Sequence, residues 1–312
     1  MRKRLFLALF VSVLGWIFLE QVAKWSLAQN VATDSVAMPY DAYLLWKLGI
    51  GSHQFGRLKA HINDDGYREI PINEDVQDQI VFLGDSSTFG FEVPVEDTFA
   101  YKTAKCLGMK PVNAAVPGYT STQSMLQWQR LSLDVQPKIL VVASLWSDLV
   151  QTKYPDSKLF SEQLQVSSWQ TWLYHHSYVY QWLYEHFQTD NNADRNQIFW
   201  QRLLKGEDQR SFSPRVPPKD YERNLNEIFS LSTDVQRVML LLPTNVRMGQ
   251  PREAKEYRLI AQKIAQQHGA LVVDMDDFES DFSLRERFLD VVHPSVLGHA
   301  EIAEKLCERL QH

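Results

Sequence analysis

The residues of this chain best placed to do chemistry sit where apolar runs end. Gln79-Ile80-Val81-Phe82-Leu83 runs into the small-residue turn Gly84-Asp85-Ser86-Ser87. A serine there can lift its hydroxyl above a sheet, beside the start of the following helix. Serine is a weak nucleophile until a base takes its proton, and the base usually needs a carboxylate to orient it. Of the nine histidines, His293 stands out, because Asp290-Val291-Val292-His293-Pro294 follows the last strand-like run and precedes a helical pattern. One turn can therefore supply both imidazole and carboxylate, and Pro294 suits the start of the helix that leaves it.

Elements of two kinds must position these groups. Near-continuous apolar runs at 79–83, 111–116, 138–145, 238–242 and 271–274 have the form of strands covered on both faces. Helical patterns lie between and after them, at 99–107, 121–133, 221–231, 252–268 and 294–310. This alternation predicts an open, doubly wound α/β domain with a mostly parallel sheet of five strands, whose site forms at the carboxyl ends of the strands. No G-x-G-x-x-G or phosphate loop follows the first strand, which argues against a nucleotide-binding protein.

The catalytic domain is expected over 78–312, after a segment at 29–77 that reads as a juxtamembrane helix and a loop with short strands. An aromatic-rich insertion at about 154–218 breaks the alternation, with Trp169, Trp172, Tyr178 and Trp182 among its rings. It reads as helical packing on the sheet or membrane-proximal surface, or as a lid over the site. Its His175-His176 pair has no cysteine or carboxylate spacing to make it a metal site.

At the N-terminus, Arg2-Lys3-Arg4 precedes an apolar run from Leu5 to Leu19 that Glu20 ends. The run has 15 residues, roughly 22 Å as a helix against about 30 Å of hydrocarbon. Residues 1–28 are read as a signal anchor, lengthened into the interface by Val22, Ala23, Trp25 and a snorkelling Lys24. The expectation is a single-pass membrane protein with its domain outside the cytoplasm; the alternative is a cleaved signal and a secreted or periplasmic protein. The formal charge of -6, with acidic and basic residues mixed along the chain, offers no basic stripe for nucleic acid. Two cysteines, Cys106 and Cys307, are too few for a disulfide framework and lack metal-ligand spacing, so they imply no metal; no cofactor is expected.

Taken together, Gly84-Asp85-Ser86 near the start and Asp290-x-x-His293-Pro294 near the end resemble the SGNH/GDSL hydrolase family, from about Asp65 to the C-terminus. Gly66-Tyr67-Arg68 and Gly298-His299 also resemble members with an N-terminal anchor. The resemblance implies a flavodoxin-like three-layer α/β/α fold and ester hydrolysis or acyl transfer. By that matching Ser86 is the nucleophile, His293 the base and then the acid, and Asp290 the orienting carboxylate. Asn113-Ala114-Ala115-Val116-Pro117-Gly118 matches the family glycine motif, so the N–H groups of Gly118 and Ser86 would face the oxyanion. The family's G-x-N-D is here Leu145-Trp146-Ser147-Asp148, which puts Ser147 where an asparagine donor belongs. Asp85 matches the family pattern as a structural hydrogen-bonding partner. The implied topology also places the helices bearing Cys106 and Cys307 on one face, where they could form a disulfide.

The function expected is an exported ester hydrolase or O-acyltransferase acting on a carbohydrate O-acyl ester or a lipid. A different class stays open: a catalytically weak module that binds a glycan or a membrane partner, favoured by Ser147 and the aromatic insertion.

Overall fold

The computed structural model describes residues 2–30, 37–41, 43–72, 76–152, 155–163, 173, 177–180, 182–183, 213–243, 252–276, 285–290 and 292–311. The chain opens with helix α1 (Arg2–Asn30). Among the described residues no helix is long and apolar enough to cross a membrane. This overturns the single-pass anchor, and with it the membrane as a partner reached through that helix. The apolar run stops at Glu20, and the protein itself answers that carboxylate. Glu20 accepts hydrogen bonds from Ser177 Oγ at 2.5 Å and from the N–H groups of Tyr178 and Val179 at 2.6 and 3.3 Å. One turn on, Lys24 Nζ lies 5.1 Å from the centre of the Tyr178 ring, and Ala23 is buried.

Residues 37–62 make two short hairpins, β1 (Tyr40–Asp41) with β2 (Leu45–Trp46) and β3 (Gly51–Phe55) with β4 (Leu58–Ile62). These pairs lie within the segment read from sequence as a juxtamembrane helix and a loop with short strands. Asp41 makes the first turn by accepting from the N–H groups of Tyr43 and Leu44 at 2.9 and 2.8 Å.

The domain proper follows as β5 (Gln79–Gly84), α2 (Ser86–Phe89), α3 (Phe99–Leu107), β6 (Lys110–Asn113), α4 (Ser121–Asp134), β7 (Ile139–Ala143) and α5 (Trp146–Leu149). After these come β8 (Gln151–Thr152), α6 (Asp156–Gln163), β9 (Ser213–Pro214), α7 (Pro218–Ser230), β10 (Gln236–Leu241), α8 (Arg252–Gln267), β11 (Leu271–Asp274) and α9 (Val296–Gln311). The main sheet has the order β11-β10-β7-β5-β6, and every neighbouring pair is parallel. Numbered along the chain this is 2-1-3-4-5, the flavodoxin-like order.

Strand periodicity explains the three layers. Ile80 and Phe82 of β5, Ile139 and Val141 of β7, and Val238 and Leu240 of β10 face a core closed by α3 and α9. The alternate residues Val81, Leu83, Leu140, Val142, Met239 and Leu241 face a second core closed by α4, α7 and α8. Successive strand side chains point to opposite faces, so only strands apolar at every position can serve both cores. Each such side chain taken from water contributes roughly 1.5–3 kcal/mol. A third cluster, built on Tyr43, Leu45, Trp46 and Phe55, packs the hairpins against Phe89 of α2 and against Val116 and Tyr119 of the loop after β6.

Cys106 of α3 and Cys307 of α9 form a disulfide with Cα atoms 6.3 Å apart. It ties together the two helices that cover one face. The aromatic insertion enters through α6 and leaves through β9, which pairs with β8. Trp169, Trp172 and His175-His176 lie outside the described residues.

Candidate active site

Two chain segments meet where the strand order reverses, between β5 and β7, which is where doubly wound sheets open a crevice. Ser86 opens α2 just past β5. Asp85 caps that helix, accepting from Ser87 N at 2.9 Å. Gly84 has to be glycine, since a Cβ there would come within 2.7 Å of the Ala143 carbonyl oxygen. The far end of the helix is held by Arg68, whose Nη1 donates to the carbonyls of Phe89 and Gly90 at 2.7 and 2.6 Å and whose Nη2 donates to Val93 at 2.7 Å. Burial lowers this guanidinium to about 10.

The structure brings Ser86, His293 and Asp290 together. His293 Nε2 is 2.7 Å from Ser86 Oγ, and His293 Nδ1 is 2.6 Å from Asp290 Oδ2. The other Asp290 oxygen accepts from the N–H groups of Val292 and His293, both at 2.9 Å. Burial pushes Asp290 up, but the hydrogen bonds from His293 and Val292 outweigh it and hold the carboxyl below its usual range. An ionised Asp290 can only accept, so the imidazole proton belongs on Nδ1 and Nε2 is left to accept from the serine hydroxyl. Ser87 Oγ ties the two loops by donating to the Val292 carbonyl at 3.1 Å, and the Phe91 ring lies 5.0 Å from the imidazole at 31°. Sequence reading missed Phe91.

Gly118 lies on the loop after β6, with φ of 79°. The loop is anchored beside β5, because Ala114 N donates to Phe82 O at 3.0 Å and Val116 N to Gly84 O at 3.2 Å. Asn113 Nδ2 donates to the carbonyls of Thr88 and Phe89 in α2. Ser147 sits in α5 at the end of β7, but its hydroxyl is directed to Asp85 Oδ2 at 3.2 Å, and its N–H to the same oxygen at 3.3 Å. Asp85 is buried, which raises its carboxyl. It thus joins the turn that carries Ser86 to α5. Trp46 and Arg215, which bond to the carbonyls flanking Gly118, carried no sequence signal.

Two other buried ionisable groups brace the site. Asp148 accepts from Ser121 N at 2.9 Å and Ser121 Oγ at 2.5 Å, fixing α5 to the start of α4. Burial raises it to about 7. His299 of α9 accepts at Nδ1 from Phe99 N at 3.1 Å and stacks on the Phe99 ring. Burial, with the charges of Arg68 and Lys102, lowers it to about 3.

The signs of these two shifts oppose each other. Between about pH 4 and 6.5 the unfolded chain protonates His299 while the folded chain does not, so His299 takes stability away as pH falls. Across about pH 4 to 7 the folded chain holds a proton on Asp148 that the unfolded chain lacks, so Asp148 returns stability as pH falls. Each slope is at most about 1.4 kcal/mol per pH unit. In urea melts from pH 7 to 4, His299→Gln should gain on the wild type as pH falls, and Asp148→Asn should lose ground. Parallel curves for all three proteins would contradict both assignments.

Among the described residues no group of three His, Cys, Asp or Glu side chains could hold a metal ion. The constellation can instead do acyl transfer: a serine with a base in reach, a base with an orienting carboxylate, and backbone N–H groups on the adjoining turns.

The sequence matches no protein-family model and no curated protein. Among solved structures the chain is similar to LAE5, an alpha/beta hydrolase enzyme from the metagenome of Lake Arreo, Spain, with 16% identity over 76% of this chain and 96% of that one at a TM-score of 0.49. It is similar to the lipase/acylhydrolase from Enterococcus faecalis, with 14% identity over 75% of this chain and 96% of that one at a TM-score of 0.49. A third is the acetylxylan esterase Axe2 from Geobacillus stearothermophilus, with 13% identity over 76% and 95% at a TM-score of 0.45.

Proposed function

We propose that the chain is a serine ester hydrolase, in which Ser86 is the nucleophile, His293 the general base and then acid, and Asp290 the carboxylate that orients it. The observation that carries the reading is the continuous path from Ser86 Oγ through the imidazole to Asp290, with links of 2.7 and 2.6 Å. Ser86 Oγ attacks the ester carbonyl as its proton passes to His293 Nε2. The carbonyl oxygen, now charged, is received by the N–H groups of Ser86 and Gly118. Collapse expels the alcohol, which takes the proton from His293, and leaves an acyl-serine. A water activated by the same imidazole then releases the acid; an acceptor alcohol in its place makes the reaction an acyl transfer.

The Cys106–Cys307 bridge supports an oxidising compartment, where an exported site faces glycans as readily as lipids. We take a carbohydrate O-acyl ester as the substrate and a lipid ester as its competitor. Acetate released from acetylated polysaccharide, against fatty acid released from a glycerolipid, decides between them.

The second reading is a weakly active module that binds rather than cleaves, favoured by the engagement of the Ser147 hydroxyl with Asp85. A fluorophosphonate probe separates the two. Covalent labelling of the wild type that is lost in Ser86→Ala is expected; an unlabelled wild type, or equal labelling of both, overturns the hydrolase reading.

A further inference from the structure

The Gly118 N–H belongs to the peptide unit that joins it to Pro117, and the rigid trans geometry of that unit fixes the N–H direction once its carbonyl is fixed. Both carbonyls that flank Gly118 are held from outside the loop. Trp46 Nε1 of β2 donates to Pro117 O at 3.2 Å. Arg215, which follows β9, donates through Nη1 to Gly118 O at 2.7 Å.

We infer that Trp46 and Arg215 are positioning residues that hold the Gly118 N–H on the oxyanion; this rests on the hydrolase reading above.

The anchoring of both residues fits that role. Arg215 is buried, bonded through Nε to Asp156 Oδ1 at 3.0 Å and through Nη2 to Gln123 Oε1 at 3.2 Å, and Asp156 Oδ2 accepts from Thr120 Oγ1 at 2.5 Å. The guanidinium carbon lies 5.6 Å from the centre of the Trp46 ring. Tyr119 Oη donates to the Trp46 carbonyl at 2.7 Å, and Gln123 Nε2 to that of Leu44 at 2.7 Å. Between those two carbonyls, Leu45 is held at φ of 70°, a left-handed conformation that leucine adopts at a cost. Strain retained beside the ring that meets the glycine is what a positioning function would preserve. A charged side chain that only braced the insertion would not need its third arm on a loop carbonyl 97 residues away in sequence.

A KM-against-kcat comparison with p-nitrophenyl acetate tests this, read beside the rate at which a fluorophosphonate labels Ser86, because the phosphonyl oxygen occupies the same hole. Trp46→Phe keeps the ring and removes the donor. Breaking a buried ion pair by removing one partner is strongly destabilising, whereas replacing both with apolar groups is often neutral. Arg215→Met is therefore combined with Asp156→Leu to remove the clamp without stranding a charge. For folded protein well below its melting temperature, kcat and labelling rate should fall about tenfold or more in each, with KM within about twofold. Losing the donor itself would cost about 10²–10³, so re-aiming it costs less. Folded variants with wild-type kcat and labelling rate would overturn the inference while leaving the hydrolase reading intact. A wild type that neither hydrolyses nor labels would overturn both.

Discussion

His293→Gln should lower kcat for p-nitrophenyl acetate by about 10⁶, and adding Ser86→Ala should lower it little further, because the two act as one unit. The geometry explains why the loss is chemical rather than structural. The turn around His293 is built by its backbone, with Leu289 N donating to the His293 carbonyl at 2.8 Å and the His293 N–H donating to Asp290. The imidazole side chain is 17% exposed and can change without opening a core. Asp290→Asn should cost less, about 10⁴. Its Oδ1 can still accept from Val292 N and His293 N. The amide then presents donors to His293 Nδ1, which must become the acceptor, and the proton moves to Nε2, where it faces Ser86 and cannot take the serine proton. Melting temperatures close to wild type, beside the two different losses in kcat, are the expected pattern. Residual activity above about a tenth of wild type in His293→Gln would remove histidine from the mechanism.

What the sequence made legible, and what it hid, follows from how local each signal is. The five strands are readable because β5, β7 and β10 are apolar at consecutive positions, a pattern forced by helices on both faces. Ser86 and the Asp290–His293 pair are readable because each sits in a short turn at the end of such a run. The N-terminal helix is hard to read from sequence for the opposite reason. The partners of Glu20 lie some 157 residues later, at Ser177 to Val179, so hydropathy alone leaves its carboxylate looking like the boundary of a membrane segment. The hairpin that carries Trp46 and the return strand before Arg215 were equally silent. Their partners on the Gly118 loop are 71 and 97 residues away, and nothing in local composition marks a side chain destined for a loop carbonyl. Ser147 is intermediate, since its identity showed the departure from an asparagine donor but not the direction of its hydroxyl, which folding sets through Asp85.

That direction gives Gly118 more weight than it would have in a hole with three donors. With the Ser147 hydroxyl and N–H both directed to Asp85, the proposed mechanism leaves the oxyanion to the backbone N–H groups of Ser86 and Gly118. Gly118→Ala disturbs the second of these in two ways. The position has φ of 79°, where an L side chain is strained, and an added Cβ would lie 3.3 Å from Trp46 Cζ2. Relief through either route rotates the Pro117–Gly118 peptide and turns its N–H off the charged oxygen. The expected loss in kcat is about 10²–10³, the magnitude of one missing donor, with KM nearly unchanged because the ground-state carbonyl needs that bond least. Ser147→Ala is the control, and should change kcat by less than about tenfold, since the hydroxyl it removes already has a partner. If the two variants exchanged rank, so that Ser147→Ala lost the hundredfold and Gly118→Ala stayed near wild type, the hydroxyl must leave Asp85 during turnover, and the oxyanion would be held from the β7 side of the crevice rather than from the β6 loop.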